Sequence, residues 1–394
     1  MDAIRNPFAP GAGTPPPELA GRSEIVGRAE TTLARIREGR PSKSFLFVGL
    51  RGVGKTVLLN KVQELSEARG YRAIFVEGTE NKPLPTLLYP YLRHLLLSLD
   101  RMENLSEQVK RGLRVLKSFA NGIKLKYQEI EVGLNIDPEP GSADSGNLEA
   151  DLSELMQAVA QAAAARRLPV ALIIDEMQYL SENELSALIM AVHRITQRNL
   201  PFILVGAGLP QLVGLTGKSK SYAERLFDFP KIGALSKADA ENALQGPVRR
   251  ESVNFDRDAL TEIVRITEGY PYFLQEWGYQ AWNMAQSSPI NLQTIQAAHD
   301  AVIARLDESF FRVRFDRLTP SEKDYLRAMA ELGPGPRRSG DIADLLGVRG
   351  PSVAPRRSGL IKKGMIFSPA HGDTEFTVPL FDQFMKRIMP NWKR

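Results

Sequence analysis

The stretch FLFVGLRGVGKTVLLNKV, residues 45–62, decides the fold of this chain. Residues 49–56 read GLRGVGKT and match the pattern G-x-x-x-x-G-K-[ST] at every fixed position. An apolar run predicts a buried strand before the loop, and KTVLLNKVQELSEARG predicts a helix after it. Glycines let the backbone turn several N–H groups toward one centre, and the helix N-terminus adds positive charge. We therefore predict a nucleotide-phosphate loop with these contact residues: Gly49, Arg51, Gly52, Val53, Gly54, Lys55, Thr56 and Val57.

A second stretch, VALIIDEMQYL at residues 170–180, supplies the partner of this loop. Its apolar run predicts a buried strand that ends at Asp175. We expect Asp175 and Thr56 to hold Mg²⁺, Lys55 to contact the β- and γ-phosphates of ATP, and Glu176 to polarise the attacking water. An Asp-Glu pair after a strand can also be a simple cap. Combined with the phosphate loop, the pair favours a hydrolase over a small-molecule kinase.

Strands and helices alternate along the first part of the chain, and this alternation predicts an α/β fold, a doubly wound parallel sheet of the P-loop NTPase type. The pattern becomes wholly helical from about residue 235, and residues 315–394 predict three helices followed by two strands. The predicted divisions are an extended arm (1–20), an ATPase core (21–234) with a β-hairpin insertion (about 101–147), a helical lid (235–314) and a winged-helix domain (315–394).

Composition excludes several classes of site. The 394 residues include no cysteine, so disulfides, thiolate zinc sites, iron–sulfur clusters and cysteine nucleophiles are excluded. The N-terminus lacks the features of a signal peptide, and we find no apolar run of about 18 residues, the length of a membrane span. We therefore expect a cytoplasmic protein with no membrane partner.

Positive charge is concentrated near the C-terminus. Residues 312–394 carry 16 Lys/Arg against 9 Asp/Glu, a net of +7, whereas residues 1–311 carry 35 against 37, a net of −2. Such asymmetry favours a polyanion partner, and we predict contacts with double-stranded DNA from the segment GPSVAPRRSGLIKKGMI. Docking of a protein partner, or packing against the rest of the chain, remains the alternative. The predicted DNA contacts are Arg349, Arg356, Arg357, Lys362 and Lys363.

From about residue 15 onward the chain resembles the AAA+-type ATPases of the ORC/STAND-like branch, the archaeal–bacterial ATP-binding proteins with a helical lid and a winged helix. LAGRSEI resembles the Gly-Arg-x-Glu element of that branch and implies that Arg22 lies near the adenine, although Ser23 as a helix cap explains the same letters. EGYPYFLQ resembles its Gly-x-Pro lid element and implies that Tyr270 and Pro271 face the base or ribose. A plain helix start at Pro271 is the alternative.

Two features depart from, or leave open, what the resemblance implies. The fourth core strand ends in LVGAGLPQL, so Gly206, Ala207 and Gly208 offer no polar side chain to sense the γ-phosphate. Gln211 is the nearest polar residue. The resemblance also implies an arginine finger at Arg225, with Arg194 and Arg198 as rivals and a surface salt bridge as the ordinary alternative.

Two hypotheses therefore stand for the function. The first is an ATP-hydrolysing protein that couples its nucleotide state to DNA or partner binding, with a homo-oligomer placing Arg225 in a neighbour's site. The second is a nucleotide switch with little turnover, held closed by ADP and acting on a protein partner. The lack of a polar side chain at the end of the fourth strand favours the second hypothesis.

Overall fold

A computed structural model describes residues 1–11, 13–100, 107–122, 136–370 and 372–392. Its core is a five-stranded parallel sheet in the order β2-β3-β4-β1-β5. The strands are β1 Ser44–Val48, β2 Arg72–Glu77, β3 Val170–Asp175, β4 Phe202–Gly208 and β5 Phe227–Asp228. The predicted α/β class and parallel sheet are confirmed.

Helices cover both faces of this sheet. The core helices are α1 Ser23–Arg37, α2 Lys55–Ala68, α3 Leu84–Asp100, α4 Glu107–Gly122, α5 Leu148–Ala165, α6 Glu182–Gln197, α7 Gln211–Ser219 and α8 Ala223–Leu226. Alternate residues of β3 point to opposite faces: Ile173 packs in the cluster of α1 and α2, and Leu172 in the cluster of α3 to α6. Within the predicted β-hairpin insertion of about 101–147, residues 107–122 form the helix α4, and the part of the prediction that falls on residues 123–135 lies outside the described residues.

The lid consists of α9 Lys237–Arg250, α10 Arg257–Thr267, α11 Pro271–Met284 and α12 Leu292–Arg305. A π-helical segment, Leu306–Phe311, and α13 Arg312–Phe315 follow it, and we call these ten residues the junction. The N-terminal arm has one 3₁₀ turn, Ala3–Arg5, and lies along the lid. Phe8 is 3% exposed, and a Cβ at Gly278 would come within 2.6 Å of its ring. The arm is therefore packed rather than free.

The third unit follows the junction. It comprises α14 Pro320–Glu331, β6 Arg337–Arg338, α15 Ser339–Leu345, α16 Gly350–Lys362, β7 Ile366–Phe367, β8 Asp373–Phe376 and α17 Phe381–Ile388. Its three strands form an antiparallel sheet in the order β6-β8-β7. The unit shares one hydrophobic cluster with the lid and also touches the core, because the Arg51 N–H donates to the Thr377 carbonyl at 2.9 Å. This contact brings the third unit against the predicted phosphate loop.

Candidate nucleotide site

The loop between β1 and α2 has the curled backbone that its glycines predict. Gly52 and Gly54 have φ values of 78° and 90°, a region that favours glycine. A Cβ at Gly49 would lie 2.0 Å from the Ile232 carbonyl oxygen, so close backbone approach requires glycine there. The first turn of α2 begins directly at Lys55. The loop therefore directs a helix N-terminus into the space in front of the sheet.

Lys55 is 7% exposed and bonds to the loop itself. Its Nζ donates to the Gly49 carbonyl at 3.0 Å and to the Leu50 carbonyl at 2.8 Å. Burial lowers the Lys55 pKa to about 8, with Arg51 adding to the effect, while the carboxylates of Glu176 and Asp175 oppose it. The ammonium thus sits inside the loop on weak carbonyl acceptors, which anionic oxygens can replace.

Thr56 and Asp175 meet at the carboxyl edge of the sheet. The Thr56 Oγ1 donates to Asp175 Oδ2 at 2.6 Å, and the Glu176 N–H donates to Asp175 Oδ1 at 2.8 Å. Burial raises the Asp175 pKa, and the neighbouring Glu176 raises it further, against the Thr56 hydrogen bond. Hydroxyl and carboxylate oxygens at one point are the hard donors that Mg²⁺ prefers.

Glu176 faces the same space from a left-handed backbone, φ 51°. Its Oε1 is 3.6 Å from Nη1 of Arg51, and its Oε2 accepts from Gln178 Nε2. Gln178 in turn accepts from the Leu209 N–H at 3.1 Å, just beyond β4. Gln178 was not predicted from the sequence, and its position two residues after the Asp-Glu pair was the available signal.

The glycines at the end of β4 have a packing reason. A Cβ at Gly206 would lie 2.1 Å from the Met177 sulfur, and a Cβ at Gly208 would lie 3.1 Å from Gln178 Oε1. The turn that carries Glu176 therefore packs directly on the bare end of β4. Gln211 is not among the residues that line the cavity, and its buried Oε1 has no hydrogen-bond partner among the described residues.

Residues 51–57 of the loop and Glu176 line one cavity of about 540 Å³, which lies within the usual size range for small-molecule sites; Gly49 and Asp175 are not among its lining residues. The core, arm, lid, junction and third unit all contribute to its wall. Its lining includes Arg22, Arg51, Gly52, Val53, Gly54, Lys55, Thr56, Val57, Glu176 and Pro271 from the predicted set, together with Ala9, Leu19, Leu235, Tyr272, Leu274, Arg314, Arg317 and Lys363.

The two lid predictions fare differently. Pro271 begins α11 and lines the cavity, whereas Tyr270 packs between two hydrophobic clusters and does not line it. Tyr272 lines it instead, and its N–H donates to the Gly52 carbonyl at 3.2 Å. The residue after the proline, rather than the one before it, reaches the loop because α11 turns that face toward the core.

Arg22, predicted to lie near the adenine, lines the cavity beside the phosphate loop. It is 8% exposed, and its Nη2 donates to the Val53 carbonyl at 3.3 Å and to the Gly233 carbonyl. Burial lowers its pKa, against the attraction of Asp239. The side chain thus joins the phosphate loop to the segment that leads into the lid.

The predicted arginine finger lies away from this chain's own cavity. Arg225 is exposed on α8, and its rivals Arg194 and Arg198 are exposed as well. None of the three lines the cavity. A contact from Arg225 to a nucleotide therefore requires a neighbouring copy of the chain.

Two of the five predicted DNA contacts, Lys363 and Arg357, form hydrogen bonds within the protein. Lys363 Nζ bonds Glu322 at 2.7 Å and the Arg317 carbonyl at 3.0 Å, and the residue lines the nucleotide cavity. Arg357 donates to Ser368 Oγ at 2.7 Å and to the Asp373 carbonyl at 2.9 Å. Arg349 and Lys362 are exposed and Arg356 is half-buried.

Residues 18–205 match the family model described as AAA ATPase domain. Residues 308–385 match a model described as Domain of unknown function (DUF8462). No curated protein is significantly similar to this chain in sequence. No helix in the described ranges has the length and apolar character needed to cross a bilayer.

Several solved structures are similar to this chain. The Walker-type ATPase of Pyrococcus abyssi superposes with a TM-score of 0.50 at 18% identity, over 95% of this chain and 97% of that chain. The Aeropyrum pernix Orc1 protein, solved in complex with DNA, gives 0.46 at 15% identity, over 95% and 94%. The Thermotoga maritima RuvB Holliday junction branch migration motor gives 0.45 at 15%, over 93% and 95%. The sheet, the phosphate loop and the family match agree that residues 18–205 form an AAA ATPase-type domain.

Proposed function

We propose that the protein binds ATP with Mg²⁺ in this cavity, hydrolyses it, and couples its nucleotide state to the third unit. The observation that carries the proposal is the convergence of Lys55, Thr56 and Glu176 with the curled loop on one cavity, with Asp175 bonded to Thr56 at its edge. Loop N–H groups and Lys55 bind the phosphates. The apolar wall of Leu19, Leu235 and Leu274 suits the adenine.

The donor set fits Mg²⁺. Thr56 Oγ1 and the Asp175 carboxylate are 2.6 Å apart, and both are oxygen donors, Asp175 being 4% exposed. When bound, Mg²⁺ neutralises charge on the β- and γ-phosphates. Thr56 would hold the ion directly, and Asp175, hydrogen-bonded to Thr56, would hold it through water.

Glu176 would act on the attacking water. Gln178 orients the carboxylate through one oxygen, and a water in the cavity must compete with Arg51 for the other oxygen. Nucleotide binding at the loop draws Arg51 toward phosphate oxygens and frees one carboxylate oxygen. A carboxylate beside a bound γ-phosphate can then orient water for in-line attack.

The test is phosphate release by Glu176→Gln. The substitution keeps size and hydrogen bonding but removes the negative charge, so hydrolysis falls by roughly 100-fold or more while ATP affinity stays within about 2-fold. Glu182→Gln, an exposed residue at the start of α6, is the matched control and hydrolyses at the parental rate. Parental turnover by Glu176→Gln would refute this assignment.

For the output we propose that the third unit is a winged helix that binds double-stranded DNA. Support comes from the net charge of +7 over residues 312–394, and from Arg349, Arg356 and Lys362, for which no ion pair is found in the described part of the chain. Replacing all three with Ala weakens DNA binding and lowers its dependence on salt by about three ion equivalents. Removing three exposed lid cations, Lys237, Arg249 and Arg257, leaves both unchanged. Equal effects of the two triple variants would contradict DNA contact by this face.

A nucleotide switch acting on a protein partner is the second candidate. It is favoured by the closed arrangement in which the third unit accepts the Arg51 N–H and Arg51 approaches Glu176. A switch predicts that ADP remains bound during gel filtration and that DNA does not stimulate phosphate release. Repeated turnover that DNA stimulates would instead support the first function, ATP hydrolysis coupled to DNA binding.

A further inference from the structure

Arg314 is a cation at the nucleotide cavity, although the sequence, where Arg312, Arg314 and Arg317 lie close together, indicates only the charged side of a domain junction. It belongs to α13 of the junction and lines the cavity with Arg51, Lys55 and Glu176. Its guanidinium donates to the Phe310 carbonyl and lies 4.3 Å from the centroid of the Phe310 ring. Within the described ranges, no carboxylate lies within 4.0 Å of it. Several of its five N–H groups are therefore free to bind an anion in the cavity.

Aromatic packing fixes this guanidinium relative to the phosphate loop. Phe310 stacks on Tyr272 with ring centroids 4.4 Å apart, and the Tyr272 N–H bonds the Gly52 carbonyl. A Cβ at Gly52 would lie 3.2 Å from the Tyr272 Cβ and 3.8 Å from the Phe310 ring. The loop, Tyr272, Phe310 and Arg314 thus form one continuous packed series.

The other cations that line this side of the cavity already have acidic partners. Arg317 pairs with Glu80 at 3.1 Å, and Lys363 pairs with Glu322 at 2.7 Å. Arg314 differs, since burial lowers its pKa to about 10, with repulsion from Arg51 as the second cause and attraction from Glu176 opposing it. A partly desolvated cation with no close counter-ion gains more from an incoming anion than a paired one does.

We propose that Arg314 contacts the terminal phosphate of ATP bound to the same chain and thereby distinguishes ATP from ADP. This inference rests on the proposed function. It supplies from the junction the polar contact that Gly206, Ala207 and Gly208 cannot supply from β4. ADP lacks the terminal phosphate, so its affinity depends on Lys55 and the loop and not on Arg314.

The junction also packs on the third unit. Phe311 stacks on Phe384 with centroids 5.2 Å apart, and Asp307 pairs with Arg387 at 2.6 Å. A contact from Arg314 to the terminal phosphate of ATP therefore connects the bound triphosphate, through the junction, to the third unit. Hydrolysis removes this contact.

The test is equilibrium binding of ADP and of a slowly hydrolysed ATP analogue, adenosine 5′-(γ-thio)triphosphate, each with Mg²⁺. The affinity of Arg314→Gln for the analogue falls roughly 10- to 100-fold, which is the effect of losing one charge-assisted phosphate contact. Its affinity for ADP changes less than about 2-fold. Arg312→Gln, an exposed residue of the same short helix, changes neither. Arg314→Lys keeps the charge but loses the fork, so its analogue affinity falls between those of the parental protein and Arg314→Gln.

ADP binding by each variant reports that its loop is folded. If Arg314→Gln loses ADP binding as well, the ratio of analogue affinity to ADP affinity is measured in Arg314→Lys instead. An unchanged ratio of analogue to ADP affinity in the variant that binds ADP overturns the role of Arg314 and leaves the proposed function standing. Failure of the parental protein to bind either nucleotide overturns the proposed function and this inference with it.

Discussion

Phe8 anchors the N-terminal arm, and replacing it with Ala tests whether the arm closes the base side of the cavity. The ring is 3% exposed against Gly278 in the lid, and arm residues Ala9 and Leu19 line the cavity. Loss of a buried Phe costs about 3–5 kcal/mol in a core. The arm retains its polar contacts, including the bond from Asn6 Nδ2 to the Tyr279 carbonyl at 3.0 Å.

Because the arm packs on the surface of the lid and has a single 3₁₀ turn, Ala3–Arg5, it detaches before the lid unfolds, and the loss appears as local opening. A cost of about 3 kcal/mol raises the detached fraction roughly 100-fold. Native-state proteolysis of residues 1–20 measures that fraction. Nucleotide titration should show the affinities for ADP and ATP lowered by the same factor, because no Lys or Arg among the described arm residues lines the cavity to bind the γ-phosphate.

Ile4→Ala is the matched control, since Ile4 lies in the same arm and is 94% exposed. It should change neither proteolysis nor affinity. If Phe8→Ala is cleaved at the parental rate and binds both nucleotides with parental affinity, the arm does not close the site. A selective loss of ATP over ADP would also refute the reasoning, since it would place the arm at the terminal phosphate.

Three further predictions concern the sheet edge and the neighbouring copy. Gly206→Ala should lower the free energy of unfolding by about 1–3 kcal/mol in chemical denaturation, because its Cβ would clash with the Met177 sulfur. The loss should be smaller when Met177 is also replaced by Ala. An equal loss in both backgrounds would show that this clash is not the cause. Gln178→Leu should slow phosphate release roughly 10-fold by releasing Glu176 while leaving ATP affinity unchanged, and a parental rate would remove Gln178 from the site. Arg225→Ala should slow hydrolysis and abolish any rise of specific activity with protein concentration, and unaltered kinetics would exclude it as a finger.

The phosphate loop and the Asp-Glu pair were predictable because their chemistry is local. A loop that curls around phosphates needs glycines at fixed spacing, and Lys55 and Thr56 follow from the helix that starts there. Asp175 follows from the strand that ends at it. In each case a few consecutive residues determine both the local backbone conformation and the side chain at the site.

Arg314, Tyr272 and the arm were not predictable in this way, because they reach the site only through the packing of distant segments. The junction runs as a π-helix at Leu306–Phe311, and this turn sets which face carries Arg314. No local pattern in the sequence marks that choice.

Lys363 has contacts within the protein that the sequence did not indicate. As one of several clustered cations it predicts DNA contact, and in the structure it pairs with Glu322 and lines the nucleotide cavity. Clustering gives the charge of a segment but not the direction of each side chain. The end of β4 lacks a polar side chain, as the sequence shows, and its packing reason became visible only in the structure: Gly206 leaves room for Met177 beneath Glu176.

The most direct test of the central claim is ATP binding by Lys55→Ala, measured by calorimetry in the presence of Mg²⁺. Lys61→Ala, on the solvent side of the same helix, is the control, since it loses only a surface pair with Glu64. We predict that Lys55→Ala lowers the affinity for ATP by roughly 100-fold or more and that Lys61→Ala binds ATP with the parental affinity. Equal affinities of the two variants would contradict nucleotide binding at this loop.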